Sequence, residues 1–460
     1  MKLSFYGAAR TVTGSLHYID AGGSTVILDC GMYQGPRLES HERNKKMPEK
    51  AVNAAACLLS HAHIDHSGSI PYLVKRGFRG SIFCTRATAD LLRVMLLDSA
   101  NIQQRDLEFL QRRGVPAVEP IYDIDDVEEA LKRLVPVRYG SWFEAAPGIR
   151  AKFLDAGHIL GSAVTLVEAT EGSMTRNICF TGDLGRRGMP ILRDPEALPA
   201  CDVVLTESTY GDRTHPSGQE TEATLAAILR DQAARRGPII VPAFSLGRTQ
   251  NLIYALYQIF KRGDAPRMPV FVDSPLSSKV TKIVSQHRDC FDDEALAVLG
   301  ADGAPFYFPE IRYIEGVDES KELNDRSGAF LVLSASGMCE NGRILHHLKN
   351  HIYKPNAMVL LVGYQAQGTL GRRLHDGAQL VRIYGEEIEV KARVQVLPAM
   401  SAHADRNDLM HYLSPVARSC GQIFVVHGEP SAAVSLGDAM RGMGCAQVEV
   451  PNPGDSFDVV

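Results

Sequence analysis

The chain has 460 residues, 45% of them hydrophobic and 22% charged, with a formal net charge of −5 and an isoelectric point near 6.3. This is the make-up of a globular chain with room for two domains rather than one core. No apolar run is long enough to cross a bilayer, so no membrane partner is expected. The acidic balance neither supports nor excludes a nucleic-acid substrate, because bound divalent ions add positive charge that whole-chain counting misses.

Residues 1–7 lack the apolar core of a signal peptide, and residues 2–6 read as an edge strand. A cytoplasmic location is expected. The nine cysteines agree with it: they are scattered from Cys30 to Cys445, form no Cys-x-x-Cys pair and read as reduced core thiols. The run 25–28 ends in Asp29, and the run 54–59 ends at Ser60-His61, followed by a helix at 70–75. Residues 87–134 look like a charged, mostly helical excursion. The run 177–181 ends at Gly182-Asp183, and 203–206 ends at Glu207. A different rhythm then begins: a buried strand at 237–243 and a helix at 248–260. Next come a strand at 269–272 leading to Asp273 and a strand at 329–333. A Ser/Gly-rich loop at 334–337, a helix at 343–349 and a strand at 358–362 follow. This strand-loop-helix repetition predicts a parallel sheet. The run 423–426 finally ends at His427. The expected domains are 1–207 and 391–460, forming one unit, with 208–390 inserted as a second α/β unit.

Five of these strands deliver a His, Asp or Glu at or just past their C-terminal ends. Ligand residues collect along that edge of a sheet in α/β folds. The densest case is His61-Ala62-His63-Ile64-Asp65-His66. Imidazole and carboxylate are the ligands of a catalytic zinc ion. His61 and His63, two apart in extended chain, face the same side and can grip one ion. Asp65 and His66 follow at a turn and point toward a second position.

The His-x-His-x-Asp-His sequence after a strand resembles the signature of the metallo-β-lactamase superfamily. Asp29 in Leu28-Asp29-Cys30-Gly31, His158 in Gly157-His158-Ile159 and Asp183 in Thr181-Gly182-Asp183 match its other motifs in order. The resemblance implies an αββα sandwich with one metal on His61, His63 and His158. A second would sit on Asp65, His66 and a further histidine, with Asp183 bridging and Asp29 orienting the ligand loop from behind. Zinc is the expected metal, two ions, with manganese also accepted by such sites.

The second half narrows the family. Thr206-Glu207-Ser208-Thr209-Tyr210-Gly211, Ser401-Ala402-His403-Ala404-Asp405 and Val425-Val426-His427-Gly428-Glu429 resemble motifs A, B and C of the β-CASP nucleases. The segments 242–250, 335–343 and 363–369 resemble their inserted parallel-sheet domain. The resemblance covers nearly the whole chain and suggests a bacterial or archaeal relative of the cleavage and polyadenylation endonuclease subunit or of the RNase J group. A histidine at motif C, His427, implies RNA rather than DNA and completes the second metal set. The implied reaction is hydrolysis of an RNA phosphodiester by a two-zinc-activated water. The ions would lie about 3.5–4 Å apart. His403 would be the general acid, held by Glu207, with Asp65 and Asp183 also in the catalytic group. Single-stranded RNA is the expected substrate, cut endonucleolytically or from the 5′ end, and a homodimer is in keeping with the family. Arg248, Ser336 and Arg343, on loops that precede helices, are candidate phosphate contacts. The alternatives are a small-molecule hydrolase of the same fold and a DNA nuclease. His17, His41, His215, His287, His346, His347, His351, His375 and His411 carry no assigned role.

Overall fold

The computed structural model describes residues 1–35, 37–111, 119–302, 305–363, 365–397 and 401–459. Tyr364 of the 363–369 motif and residues 112–118 of the charged excursion lie outside them. Two compact units emerge. One comprises Met1–Arg187, Arg193–Thr214 and His403–Val460; the other comprises Gly188–Leu192 and His215–Ala402. The chain thus changes unit at 214/215 and 402/403, later than the 207 and 390 read from the sequence. Tyr210 bridges to Asp405 inside the first unit, and strand Arg393–Val396 pairs with Met358–Leu361 inside the second.

In the first unit, one seven-stranded sheet runs Ser456–Asp458, Lys2–Gly7, Leu16–Ala21, Ser24–Leu28, Ala56–Leu58, Ser81–Thr85, Leu134–Val137. The hairpin between Leu16–Ala21 and Ser24–Leu28 turns on Gly22 and Gly23, both at positive φ, as a tight two-residue turn with the twist of its strands requires. The second seven-stranded sheet runs Val448–Glu449, Gln422–Val425, Val203–Thr206, Met174–Phe180, Ala163–Glu171, Ile149–Asp155, Phe143–Ala146. Period-two alternation sends Leu3, Ile19, Val26, Leu28 and Leu58 of the first sheet into one core with Val167, Ile178, Val203, Leu205 and Phe424 of the second. The opposite face of the second sheet packs Val164, Leu166 and Ile423 against Leu409 and Leu413 of helix Arg406–Leu413 and Leu436 and Met440 of helix Pro430–Gly442. Helix Arg86–Gln111 packs on strands Ser81–Thr85 and Leu134–Val137 of the first sheet. The layers are therefore αββα.

Two sequence readings change here. Lys2–Gly7 is not an edge strand, because Ser456–Asp458 pairs antiparallel with it from the far end of the sequence. The five strands with polar ends also divide between two sheets rather than lining one. Ser24–Leu28 and Ala56–Leu58 belong to the first sheet; Met174–Phe180, Val203–Thr206 and Gln422–Val425 belong to the second.

The second unit holds a six-stranded, all-parallel sheet in the order Ile311–Tyr313, Val270–Val272, Phe330–Ser334, Pro238–Pro242, Met358–Leu361, Arg393–Val396. Its central strands are buried throughout, as expected of a parallel sheet covered on both faces. Helix Arg248–Arg262 buries Leu252, Ile253, Leu256 and Ile259 at helical spacing and stops at Gly263 in the left-handed conformation. Among the described residues no helix is long and apolar enough to cross a membrane.

Candidate metal centre

His61 follows strand Ala56–Leu58, and His63 caps the one-turn helix Ile64–Ser67, which carries Asp65 and His66. His158 follows Ile149–Asp155, Asp183 follows Met174–Phe180, Glu207 follows Val203–Thr206 and His427 follows Gln422–Val425. His403 stands just before helix Arg406–Leu413 and bridges by backbone to Gly185. All of these residues, with Asp29, belong to the first unit, and their side chains converge.

They converge as two donor sets. In one, His63 Nδ1 lies 3.1 Å from His61 Nε2 and 3.4 Å from His158 Nε2. In the other, His66 Nε2 lies 3.0 Å from His427 Nε2, and Asp65 Oδ2 lies 3.6 Å from His427 Nε2. Asp183 stands between them. Its Oδ2 is 3.4 Å from His61 Nε2 and 3.6 Å from His158 Nε2, and its Oδ1 is 3.3 Å from His66 Nε2. Each set meets the spacing needed to hold a metal ion. A left-handed Gly182 (φ 54°) aims Asp183; a Cβ there would sit 2.7 Å from Ser60 Cβ.

Counting protons shows that these donors fit a cation. The Ser60 hydroxyl donates to Asp29 Oδ2 at 2.9 Å, so its oxygen accepts from His61 Nδ1–H at 3.0 Å, and His61 Nε2 keeps its lone pair. Asp29 Oδ2 likewise accepts from His66 Nδ1–H at 2.7 Å. Nε2 lone pairs are thereby turned inward, and Asp183 Oδ1, fully buried, receives no hydrogen bond. Converging lone pairs and an unsatisfied carboxylate oxygen are what a bound cation relieves. Burial, aided by the neighbouring His66, holds His61 well below the ordinary imidazole pKa; burial, with His403 near by, does the same for His158, and burial brings His63 to about 4. Burial would raise Asp183, but His427, His66 and His403 hold it well below the usual carboxylate value. Neutral imidazole and ionised carboxylate are the forms that bind metal. His66 differs: burial lowers it, yet the Asp183 and Asp29 carboxylates raise it well above the ordinary value.

His403 sits beside these sets. Its Nδ1 is 3.2 Å from Glu207 Oε2 and 3.8 Å from Asp183 Oδ2. Glu207 is completely buried, and its carboxylate also accepts from the Leu184 and Thr209 amides at 2.6 and 3.4 Å. Burial lowers the His403 pKa, but Glu207 and Asp183 outweigh it and the net shift is upward. The His403 side chain is 20% exposed, whereas those of His61, His66, His158 and His427 are at most 5% exposed. His66 and His403 are thus the imidazoles whose carboxylate neighbours favour the protonated form, and of the two His403 is the accessible one.

Arg248, Ser336 and Arg343 are in the second unit. They follow strands Pro238–Pro242 and Phe330–Ser334, which are neighbours in its sheet. Ser336 Oγ accepts from the Glu340 and Asn341 amides. Arg343 ion-pairs with Asp273 at 2.6 Å and donates to the Ile314 and Glu315 carbonyls. Sequence reasoning missed Ser60 and Thr209, whose hydroxyls meet ring nitrogens of His61 and His427. The available signal was their adjacency to motif residues.

Three family models match the chain: the metallo-beta-lactamase superfamily over residues 10–243, the Beta-Casp domain over 249–374, and the Zn-dependent metallo-hydrolase RNA specificity domain over 387–451. Ribonuclease TTHA0252 of Thermus thermophilus is 37% identical over 96% of this chain and 97% of its own. The transcription termination factor FttA of Methanocaldococcus jannaschii is 28% identical over 100% of this chain and 72% of its own. That of Cenarchaeum symbiosum is 30% identical over 96% and 68%. A crystal structure of a protein of unknown function from Enterococcus faecalis V583 shares the fold, with a TM-score of 0.56 at 12% identity over 99% of both chains. Fold, site geometry and relatives agree, and the chain belongs to the metallo-β-lactamase superfamily, in its β-CASP hydrolase family.

Proposed function

We propose that this protein hydrolyses phosphodiester bonds in single-stranded RNA by endonucleolytic cleavage, using two divalent cations, zinc in the first instance. The observation that carries the reading is the pair of donor sets around one carboxylate, with an imidazole at the rim that Glu207 and Asp183 hold toward its protonated form. His61, His63 and His158 would hold one ion and Asp65, His66 and His427 the other, with the Asp183 carboxylate standing between the two sets. Two such ions, when bound, would supply a more acidic water and positive charge opposite the charge that develops on the phosphodiester.

The chain's own residues do the rest. Asp29 fixes His66 directly and His61 through Ser60, so the ligands are pre-oriented before substrate arrives. Glu207 keeps the His403 proton on Nδ1 and turns Nε2–H outward to protonate the leaving 3′-oxygen. Glu207 also lies within ligand distance of Asp183 and His427, but its carboxylate already accepts from His403 and two amides, which favours the supporting role. Arg248 and Ser336 serve as phosphate contacts, and Arg343, held by Asp273, shapes the loop that presents Ser336. Nine buried free cysteines suit a reducing, cytoplasmic setting. RNA as substrate is further supported by the matched RNA specificity domain and by the ribonuclease relative.

The test is cleavage of a 5′-labelled single-stranded RNA by the purified chain, with chelator and with zinc or manganese added back, beside the same sequence as DNA. Metal-dependent internal fragments from RNA support the proposal. Release of the labelled 5′ nucleotide alone would replace endonuclease with 5′-exonuclease. Inertness toward RNA in protein carrying two ions would sink it.

A further inference from the structure

We propose that Thr209 is a positioning residue for the second cation set: its hydroxyl fixes the tautomer and rotation of His427. This deepens, and rests on, the two-cation reading above.

Thr209 Oγ1 lies 3.1 Å from His427 Nδ1 and donates to the His427 carbonyl at 3.2 Å. The carbonyl has no proton to give, so the single hydroxyl proton goes to it. The hydroxyl oxygen then accepts from His427 Nδ1–H. That leaves His427 Nε2 unprotonated and facing His66 Nε2. The rival acceptor for Nδ1 is Asp183 Oδ1 at 3.4 Å, which takes part in no hydrogen bond.

The backbone tells the same story. His427 is a non-glycine residue in the left-handed region, φ 47°, a conformation that needs support from its surroundings. Support comes from His427 N–H donating to the Ala8 carbonyl at 2.7 Å, and from Ser208 N–H and the Thr209 hydroxyl donating to the His427 carbonyl. Ser208 also donates from Oγ to the Val426 carbonyl, and a Cβ at Gly428 would lie 2.2 Å from that Oγ. The turn carrying His427 is therefore moulded onto the segment 207–209. Glu207, in the same segment, holds His403. One three-residue brace thus sets both a ligand of the second set and the acid. His66 leans on the Asp29 carboxylate and His61 on a hydroxyl tied to it, whereas His427 leans on a threonine hydroxyl tied to a backbone carbonyl instead of a carboxylate.

The experiment compares zinc retained per full-length chain, under graded chelator competition, for wild type, Thr209→Val and Thr209→Ser. Valine keeps the shape and loses the hydroxyl; serine keeps the hydroxyl. We expect the wild type to retain two ions under conditions where Thr209→Val retains one, a 10–100-fold weakening at one position, and Thr209→Ser to restore the second. Metal-free Thr209→Val is expected to melt somewhat lower, for want of the bond to the His427 carbonyl, and the zinc competition is run well below that melting point, which separates positioning from folding. Two ions at wild-type affinity in Thr209→Val would overturn the proposal. A serine variant as weak as the valine variant would also overturn it, assigning the effect to methyl packing. A wild type that holds fewer than two ions would instead defeat the two-cation reading itself.

Discussion

Two regions of this molecule place a buried carboxylate among histidines at the C-terminal end of a strand, and they do opposite things with it. Asp273, after Val270–Val272 in the second unit, is saturated. Its Oδ1 accepts from Arg343, and its Oδ2 accepts from Ser320 at 2.5 Å and His347 at 2.6 Å. Asp183, after Met174–Phe180 in the first unit, is ringed by His61, His66, His158 and His427, yet its Oδ1 accepts no hydrogen bond. Each oxygen of the Asp273 carboxylate has a donor; the Asp183 cluster has lone pairs facing lone pairs. A site that must bind something is recognised by that shortfall, not by its residue types or by its place in the sheet.

The contrast can be broken at either end. Removing the shared carboxylate by Asp183→Ala should have the largest effect: both ions lost on metal analysis and RNA cleavage abolished. Asp65→Ala should lose metal and activity together; full activity in a metal-depleted variant would refute the site. His403→Ala comes next, with both ions retained and cleavage reduced about 10²–10⁴-fold. Zinc lost from that variant would make His403 a ligand. In the second unit, Asp273→Ala should leave zinc content untouched but strand Arg343 and His347. A cost of about 3–5 kcal/mol is expected in denaturant unfolding. A variant that unfolds like wild type would show the saturated cluster to be ornamental.

The smallest effect is one of pH. Burial, reinforced by Lys354, lowers the His351 pKa to about 3. The unfolded chain takes up that proton near pH 6.5 and the folded chain only near 3, so between those values the unfolded state binds more protons and stability falls as pH falls. The slope is at most about 1.4 kcal/mol per pH unit for this group. His351→Leu should flatten the acid limb of a stability profile measured on metal-free protein; an unchanged limb would remove His351 from the account.

The converging polar residues were legible because the constraint on them is local. Residues of the site stand just past strand ends, so Asp29, His61, Asp183, Glu207 and His427 each follow an apolar run. What stayed hidden depends on residues far away in the sequence. Lys2–Gly7 reads as an edge until Ser456–Asp458 covers it. Strand ends that read as one row belong to two facing sheets, because period-two patterning says which face is buried but not which sheet receives it. Thr209 carries no signal of its own, since a hydroxyl acquires meaning only when His427 is folded against it. The charged excursion is helical as its sequence suggests, over Arg86–Gln111 and Ile124–Leu131, but its charged residues dilute the apolar stripe, so the length of the 26-residue helix was not legible.

His66 and His427 are 361 positions apart, and this sets an order of events during synthesis. Domains fold as they emerge, N-terminal parts first. The donors His61, His63, His158 and Asp183 are all present once residue 183 has left the ribosome, while His403 and His427 are still to be made. On the two-cation proposal, the first donor set is therefore complete in the emerging sequence before the second set or His403, although Val203, Leu205 and Phe424 of the core beneath it have still to be made.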